Sequence, residues 1–285
     1  MSKIFDVVRK DKIIDFGDLY TMDHPGQGDP PLPSESRIDQ LPSLPSPSFT
    51  GSRIVRLRLS TFSPLFPFDR PGDIAAEQYR IIRTKILHHS KRPRLIVVSS
   101  ACSGDGKTVT SINIAASLAL KDDSSVLLID SDLRQPRVAE ALGVPLSPGL
   151  AEILAGKADL GSALIRPEQF PNLFILTAGN AEKSAAELLD SERWSRLVQE
   201  CRARFGHVIF DAPPIAMLAD YDLIQVVCDA AVLVMRPDHS SRAACFQALS
   251  VIPQNKMLGV VLNCVENWWL WKTSAYGYYR RPIPE

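Results

Sequence analysis

The stretch "RLIVVSSACSGDGKTVTSINIAASLAL" (94–120) restricts the possible fold more than any other part of the chain. It joins an unbroken apolar run, a turn holding two glycines, and apolar residues at helical spacing, in that order. A run without alternation describes a strand buried on both faces, which is what a parallel sheet requires. Five similar runs follow: "SVLLID" (125–130), "LFILTA" (173–178), "HVIFD" (207–211), "AAVLVM" (230–235) and "LGVVLN" (258–263). Helix-like stretches separate them. This alternation predicts an α/β protein of three layers around a mostly parallel central sheet. Ligands are then expected at the C-terminal ends of the strands.

The turn itself has a chemistry. Gly104 and Gly106 let the backbone close around phosphate oxygens with its N–H groups aimed inward. Lys107 would reach the β- and γ-phosphates, and the Thr108 hydroxyl would face Mg²⁺. The general phosphate-loop pattern asks for glycine at position 101, where this chain has Ala101. The flanking strand and helix supply the context that the motif needs. Ser103, Gly104, Asp105, Gly106, Lys107, Thr108 and Val109 are therefore the expected nucleotide cradle. Two acidic sites follow at strand ends: Asp130 and Asp132, with Arg134 close behind, and Asp211 in "HVIFDAPP". Carboxylates buried beside a nucleotide need a cation, and Mg²⁺ is the natural one. A single strand-end aspartate is often only a turn former or helix cap. Three in order after a phosphate loop argue for a nucleotide site.

Around this centre the chain divides into an N-terminal segment with linker (1–52), a main domain (53–271) and a tail (272–285). The linker carries seven prolines between Pro25 and Pro47, which suits an extended spacer. The first residues, "MSKIFDVVRKDKIIDF", are compatible with a short amphipathic helix and carry charges throughout, unlike a signal peptide. No apolar run reaches the roughly 18 residues of a membrane span. Residues 73–90 show helical periodicity, with Ile74, Tyr79, Ile81, Ile82 and Ile86 as the apolar positions. Lys+Arg and Asp+Glu both number 32, so net charge points to neither nucleic acid nor an acidic membrane surface. Five scattered cysteines without a C-x-x-C pair suit reduced thiols in a cytosol. Three of the six tyrosines, Tyr276, Tyr278 and Tyr279, crowd into the tail, beside Lys272, Arg280 and Arg281.

Over residues 73–281 the sequence resembles the bacterial P-loop tyrosine kinases (BY-kinases of the CpsD/CapB class). That family carries a Walker A loop, an apolar₃-D-x-D-x-R motif and a Walker B of the form apolar₃-D-x-x-P. The matches here are "SACSGDGKT", "LLIDSDLR" and "VIFDAPP". The family's E-x-x-R-x-x-R reads "EQYRIIR" (Glu77, Arg80, Arg83), and its terminal tyrosine cluster resembles "SAYGYYRRP". Family members usually have P-G-E-G-K-S where this chain has Ser103 to Thr108. The resemblance implies a P-loop NTPase fold and an ATP- and Mg²⁺-dependent tyrosine autokinase. Lys107, Asp130, Asp132 and Asp211 would be catalytic. Thr108, Asp132 and Asp211 would hold the metal, Asp130 would accept the phenol proton, and Tyr276, Tyr278 and Tyr279 would be the acceptors. It also implies a ring in which Glu77 meets Arg80 and Arg83 of a neighbour and the tail is modified in trans. The remaining implications are a membrane chain-length regulator as activator, a role in capsule or exopolysaccharide export, and a cytoplasmic protein drawn to the inner membrane face.

Other readings stay open on the residues alone. Glu77 and Arg80 also suit an ordinary i,i+3 pair on a solvated helix face. A partitioning or division-site ATPase of the ParA/MinD kind would share the strand-end aspartates. It would, however, need a lysine where Cys102 stands. A nucleotide-binding scaffold without phosphotransfer is the third reading. Trp268, Trp269 and Trp271 suit either an anchor for the tail or a sticky surface, and Tyr20, Tyr79 and Tyr221 read as structural.

Overall fold

The structure is a computed structural model and describes residues 3–5, 51–58, 74–121, 125–215 and 219–265. Strand β3 (Leu95–Ser100) lies in mid-sheet, parallel to β7 (His207–Asp211) on one side and β8 (Ala230–Met235) on the other. Beyond β7 come β4 (Val126–Asp130) and then β6 (Leu173–Leu176), both parallel. Beyond β8 comes β9 (Met257–Leu262), also parallel. All six apolar runs are thus strands of one sheet. Three short strands complete it: β1 (Lys3–Phe5), antiparallel on β9; β5 (Ile165–Pro167), antiparallel on β6; and β2 (Arg53–Val55), parallel to β5. The order is β1-β9-β8-β3-β7-β4-β6-β5-β2.

Burial explains why the runs do not alternate. Leu95 and Val97 of β3 pack into one core, Ile96 and Val98 into another across the sheet. The first core holds Trp194, Phe205, Phe210 and Tyr221 and lies under α4 (Leu150–Leu154), α5 (Leu160–Ala163), α6 (Ala185–Leu189), α7 (Glu192–Arg204), α8 (Asp220–Val227) and α9 (Arg242–Val251). The second lies under α1 (Ile74–Leu87) and α2 (Lys107–Ala119). The expected three layers follow, because each sheet face must be covered by an apolar helix stripe.

Two local expectations change. On α1 the inward stripe is Ala76, Tyr79, Ile82 and Ile86, at helical spacing, whereas Ile81 is 37% exposed and faces away. At the N-terminus, Lys3–Phe5 pair with Leu262–Val260 as a strand instead of starting a helix. No helix among the described residues is long and apolar enough to cross a membrane. The Pro-rich linker, Trp268, Trp269, Trp271 and the tail tyrosines Tyr276, Tyr278 and Tyr279 lie outside the described residues.

Candidate active site

The site is set by register. Asp130 is the last residue of β4 and Asp211 the last of β7, and the two are direct partners across the ladder. Strand β3 stops beside them at Ser100, and the chain turns through residues 101–106 into α2. Gly104 and Gly106 take φ of 88° and 91°, a backbone region that costs L-residues strain. No side chain caps α2 at Gly106, so its first-turn N–H groups are left for an anion. Ser103 and Gly104 are the exposed crest of the loop, and Val109 is half-buried against the second core.

On the acidic side, Lys107 Nζ lies 2.9 Å from Asp132 Oδ2 and 3.9 Å from Asp211 Oδ2. Thr108 Oγ1 donates to Asp211 Oδ2 at 2.7 Å, and Ser111 Oγ donates to Asp211 Oδ1 at 3.0 Å. Asp130 is held differently. Its Oδ2 accepts the backbone N–H groups of Arg137 and Val138, at 3.1 and 3.0 Å, where α3 (Val138–Leu142) begins. Its Oδ1 accepts the N–H of Asp132 at 3.3 Å.

Three buried carboxylates around a single ammonium carry surplus negative charge. Burial, then the Asp211 charge, push the Asp130 carboxyl up to about 8. Asp211 is raised as well, chiefly by burial, although Lys107, Thr108 and Ser111 oppose the shift. Burial works to lower Lys107, yet Asp211 and Asp132 outweigh it and keep the ammonium charged. Such a site favours one more cation. The oxygens gathered here, from Thr108, Asp132 and Asp211, are hard donors, which suit Mg²⁺. The described residues contain no cluster of three or more metal-ligand side chains.

Around this centre are residues that the sequence did not single out, and three of them meet Asp105, a member of the expected nucleotide cradle. The Asp105 carboxylate is fully buried and accepts from Cys102 N–H, His239 Nδ1 and Ser240 Oγ at 2.8, 3.0 and 2.5 Å. Asn263 Nδ2 donates to the Asp105 carbonyl at 2.9 Å. His239 and Ser240 follow β8, and Asn263 follows β9, so polar residues just past strand ends were the available signal. Ser111 was legible too, one helical turn beyond Thr108 on α2. Arg134, left without a role by the sequence, holds Asp220 through two hydrogen bonds of 2.6 and 3.2 Å. It thereby ties the second acidic motif to α8.

Glu77, Arg80 and Arg83 are not part of this centre. Arg80 pairs with Glu77 of its own chain at 2.8 Å, and Arg83 Nη1 donates to the Ser117 carbonyl at 3.4 Å. Ser117 lies ten residues along α2 from Lys107, roughly 15 Å of helix.

Residues 93–254 match the family model described as an AAA domain. The chain is 35% identical over 213 residues to the tyrosine-protein kinase YwqD of Bacillus subtilis, covering 73% of this chain and 88% of that one. It is 35% identical over 195 residues to the tyrosine-protein kinase CpsD of Streptococcus pneumoniae, covering 66% and 84%. The kinase domain of VpsO superposes with a TM-score of 0.61 at 30% identity, over 67% of this chain and 96% of that one. Identity of this extent, spanning nearly the full length of relatives named as tyrosine-protein kinases, places the chain in the bacterial tyrosine-protein kinase family.

Proposed function

We propose that the chain uses Mg²⁺-ATP to phosphorylate Tyr276, Tyr278 and Tyr279 on the tail of a neighbouring copy. The observation that carries this reading is the placement of Lys107, between Asp132 and Asp211 at the mouth of a phosphate loop. The other tyrosines are poor acceptors where they can be judged. Tyr79 and Tyr221 are 4% and 1% exposed, and Tyr20 lies outside the described residues.

In this reading the loop amides of Ser103 to Val109 hold the phosphate oxygens, and Lys107 exchanges a carboxylate partner for them. Thr108, Asp132 and Asp211 would hold Mg²⁺, which when bound neutralises charge building on the transferred group. Asp130 accepts the phenol proton as the tyrosine oxygen bonds to phosphorus and the bond to the leaving ADP oxygen breaks. A carboxylate at this strand end supplies a base for a proton that must leave a group whose ordinary pKa is about 10.

For the ring, Glu77 exchanges its own Arg80 for Arg80 and Arg83 of a neighbour. The local pair is 39% and 50% exposed, so opening it costs on the order of 1 kcal/mol or less. The basic tail suits the acidic cleft, and phosphates added to it would weaken docking and loosen the ring. By family, the activator is a membrane chain-length regulator that draws this cytoplasmic chain to the inner membrane face. The pathway is capsular or exopolysaccharide export. A ParA/MinD-like switch has less support: Cys102 stands in place of its lysine and directs its N–H to Asp105.

The test is incubation of the purified protein with Mg²⁺-ATP and mapping of phosphotyrosine by mass spectrometry, beside Lys107→Met. Phosphate on the tail tyrosines of the wild type alone is expected. ATP hydrolysis with bare tyrosines, with a candidate membrane activator also present, would refute the autokinase.

A further inference from the structure

The Asp105 carboxylate poses a separate question. It has no solvent exposure, and none of the roles above uses it. A charge so placed is tolerable only when several donors meet it. One donor, the Cys102 N–H, belongs to the phosphate loop itself. The other two, His239 Nδ1 and Ser240 Oγ, come from the far side of β8, more than 130 residues along the chain.

Those two side chains are held in place before any ligand arrives. The N–H groups of His239 and Ser240 both donate to the Arg236 carbonyl, at 3.3 and 3.0 Å, closing a turn directly after β8. Asp238 stands in that turn at φ 60°, in the left-handed region that aspartate tolerates better than most residues. Ser241 then caps α9, accepting the Ala244 N–H at 3.2 Å. The His239 ring lies against the loop. A Cβ on Gly104 would stand 3.2 Å from both Cε1 and Nε2. A carboxylate only accepts, so the imidazole proton that meets Asp105 sits on Nδ1.

We propose that His239 and Ser240 are positioning residues for the nucleotide phosphates, acting through Asp105. They fix the turn that aims the loop amides, so that ligand binding does not have to order it. The proposal rests on the reading of residues 101–108 as the phosphate site. It predicts a defect in nucleotide binding and not in transfer.

The test is titration of the full-length protein with a fluorescent ADP analogue (mant-ADP) and Mg²⁺, alongside tail phosphorylation at saturating ATP. His239→Ala and Ser240→Ala should each weaken binding about tenfold, the scale of one lost charge-assisted hydrogen bond. The rate at saturation should stay within about twofold of wild type, so that KM moves and kcat does not. Two further variants separate positioning from direct contact. His239→Asn keeps an N–H donor close to the Nδ1 position and should restore binding. His239→Gln carries its amide near Nε2 and should not.

Unchanged affinity in both alanine variants would overturn the proposal, as would restoration by glutamine and not asparagine. If His239→Ala does not fold, Ser240→Ala and the Asn and Gln variants decide the matter alone. Failure of the wild type to bind mant-ADP would instead sink the phosphate-site reading on which the proposal stands.

Discussion

Removing Arg134 should destabilise the domain more than neutralising the aspartate it holds. The two side chains differ in surroundings: Arg134 is 44% exposed, while Asp220 is 2% exposed. Breaking a fully buried pair by deleting one partner costs about 3–5 kcal/mol, and an exposed pair about 0–1 kcal/mol. Arg134→Met strands a buried carboxylate that has lost two hydrogen bonds, so the cost lies toward the higher range. Two effects reduce it. Asp220 begins α8, where a helix N-terminus favours negative charge, and the exposed guanidinium site lets water approach. About 2 kcal/mol is the expected loss. Asp220→Asn removes the buried charge and leaves an exposed arginine free to hydrate, so about 1 kcal/mol is expected. Urea unfolding gives both values from shifts in midpoint at constant slope. If Asp220→Asn costs as much as Arg134→Met, the desolvated carboxylate is not what the pair protects, and the reasoning fails.

Three further outcomes follow from the geometry. Ser111→Ala removes the donor to Asp211 Oδ1 and leaves Thr108, among the described residues, as the one side-chain hydrogen-bond donor to that carboxylate. Tail phosphorylation should fall about tenfold at constant fold, checked by rate assay beside circular dichroism. Gly106→Ala would place a methyl against the Asn263 amide at φ 91°. Mant-ADP binding should be lost, whereas Gly156→Ala, also at positive φ, should leave it intact. His207 makes a separable contribution to the pH dependence: burial, then the Arg94 and Lys121 charges, lower its pKa to about 4. The unfolded chain takes up that proton below pH 6.5, so the His207 contribution to stability falls as pH drops from 6.5 towards 4, while the raised Asp130 carboxyl works in the opposite direction over the same range. His207→Gln should recover on the order of 1–2 kcal/mol at pH 5 by urea titration.

The central strands were legible because burial on both faces leaves short apolar runs, which recur here between helix-like stretches. Short edge strands carry no such mark. "KIF" at residues 3–5 becomes a strand only by pairing with β9, more than 250 residues away, and local periodicity cannot report that. On α1 the helical periodicity holds, but apolar character alone does not tell which positions face inward, since Ile81 faces away from the core. In the site, Lys107, Thr108, Asp132 and Asp211 belong to contiguous motifs whose chemistry is local. His239, Ser240 and Asn263 are single polar residues, and only the order β9-β8-β3 brings them to the phosphate loop. A role for Arg134 needed Asp220, 86 residues on, to become visible.

The grip of Asn263 on the Asp105 carbonyl also sets a tether length. Tyr276 is 13 residues beyond Asn263 in the sequence. A chain of that length spans at most about 43–47 Å, while its starting point touches the phosphate loop. Distance along the chain therefore does not by itself forbid a tail from meeting its own Lys107. The proposed transfer between copies would then depend on subunit geometry, and the order of the reaction reports which route is taken. An initial phosphorylation rate per chain that rises with protein concentration marks transfer between copies. A rate that stays flat on dilution marks a tail folding back to the loop it leaves.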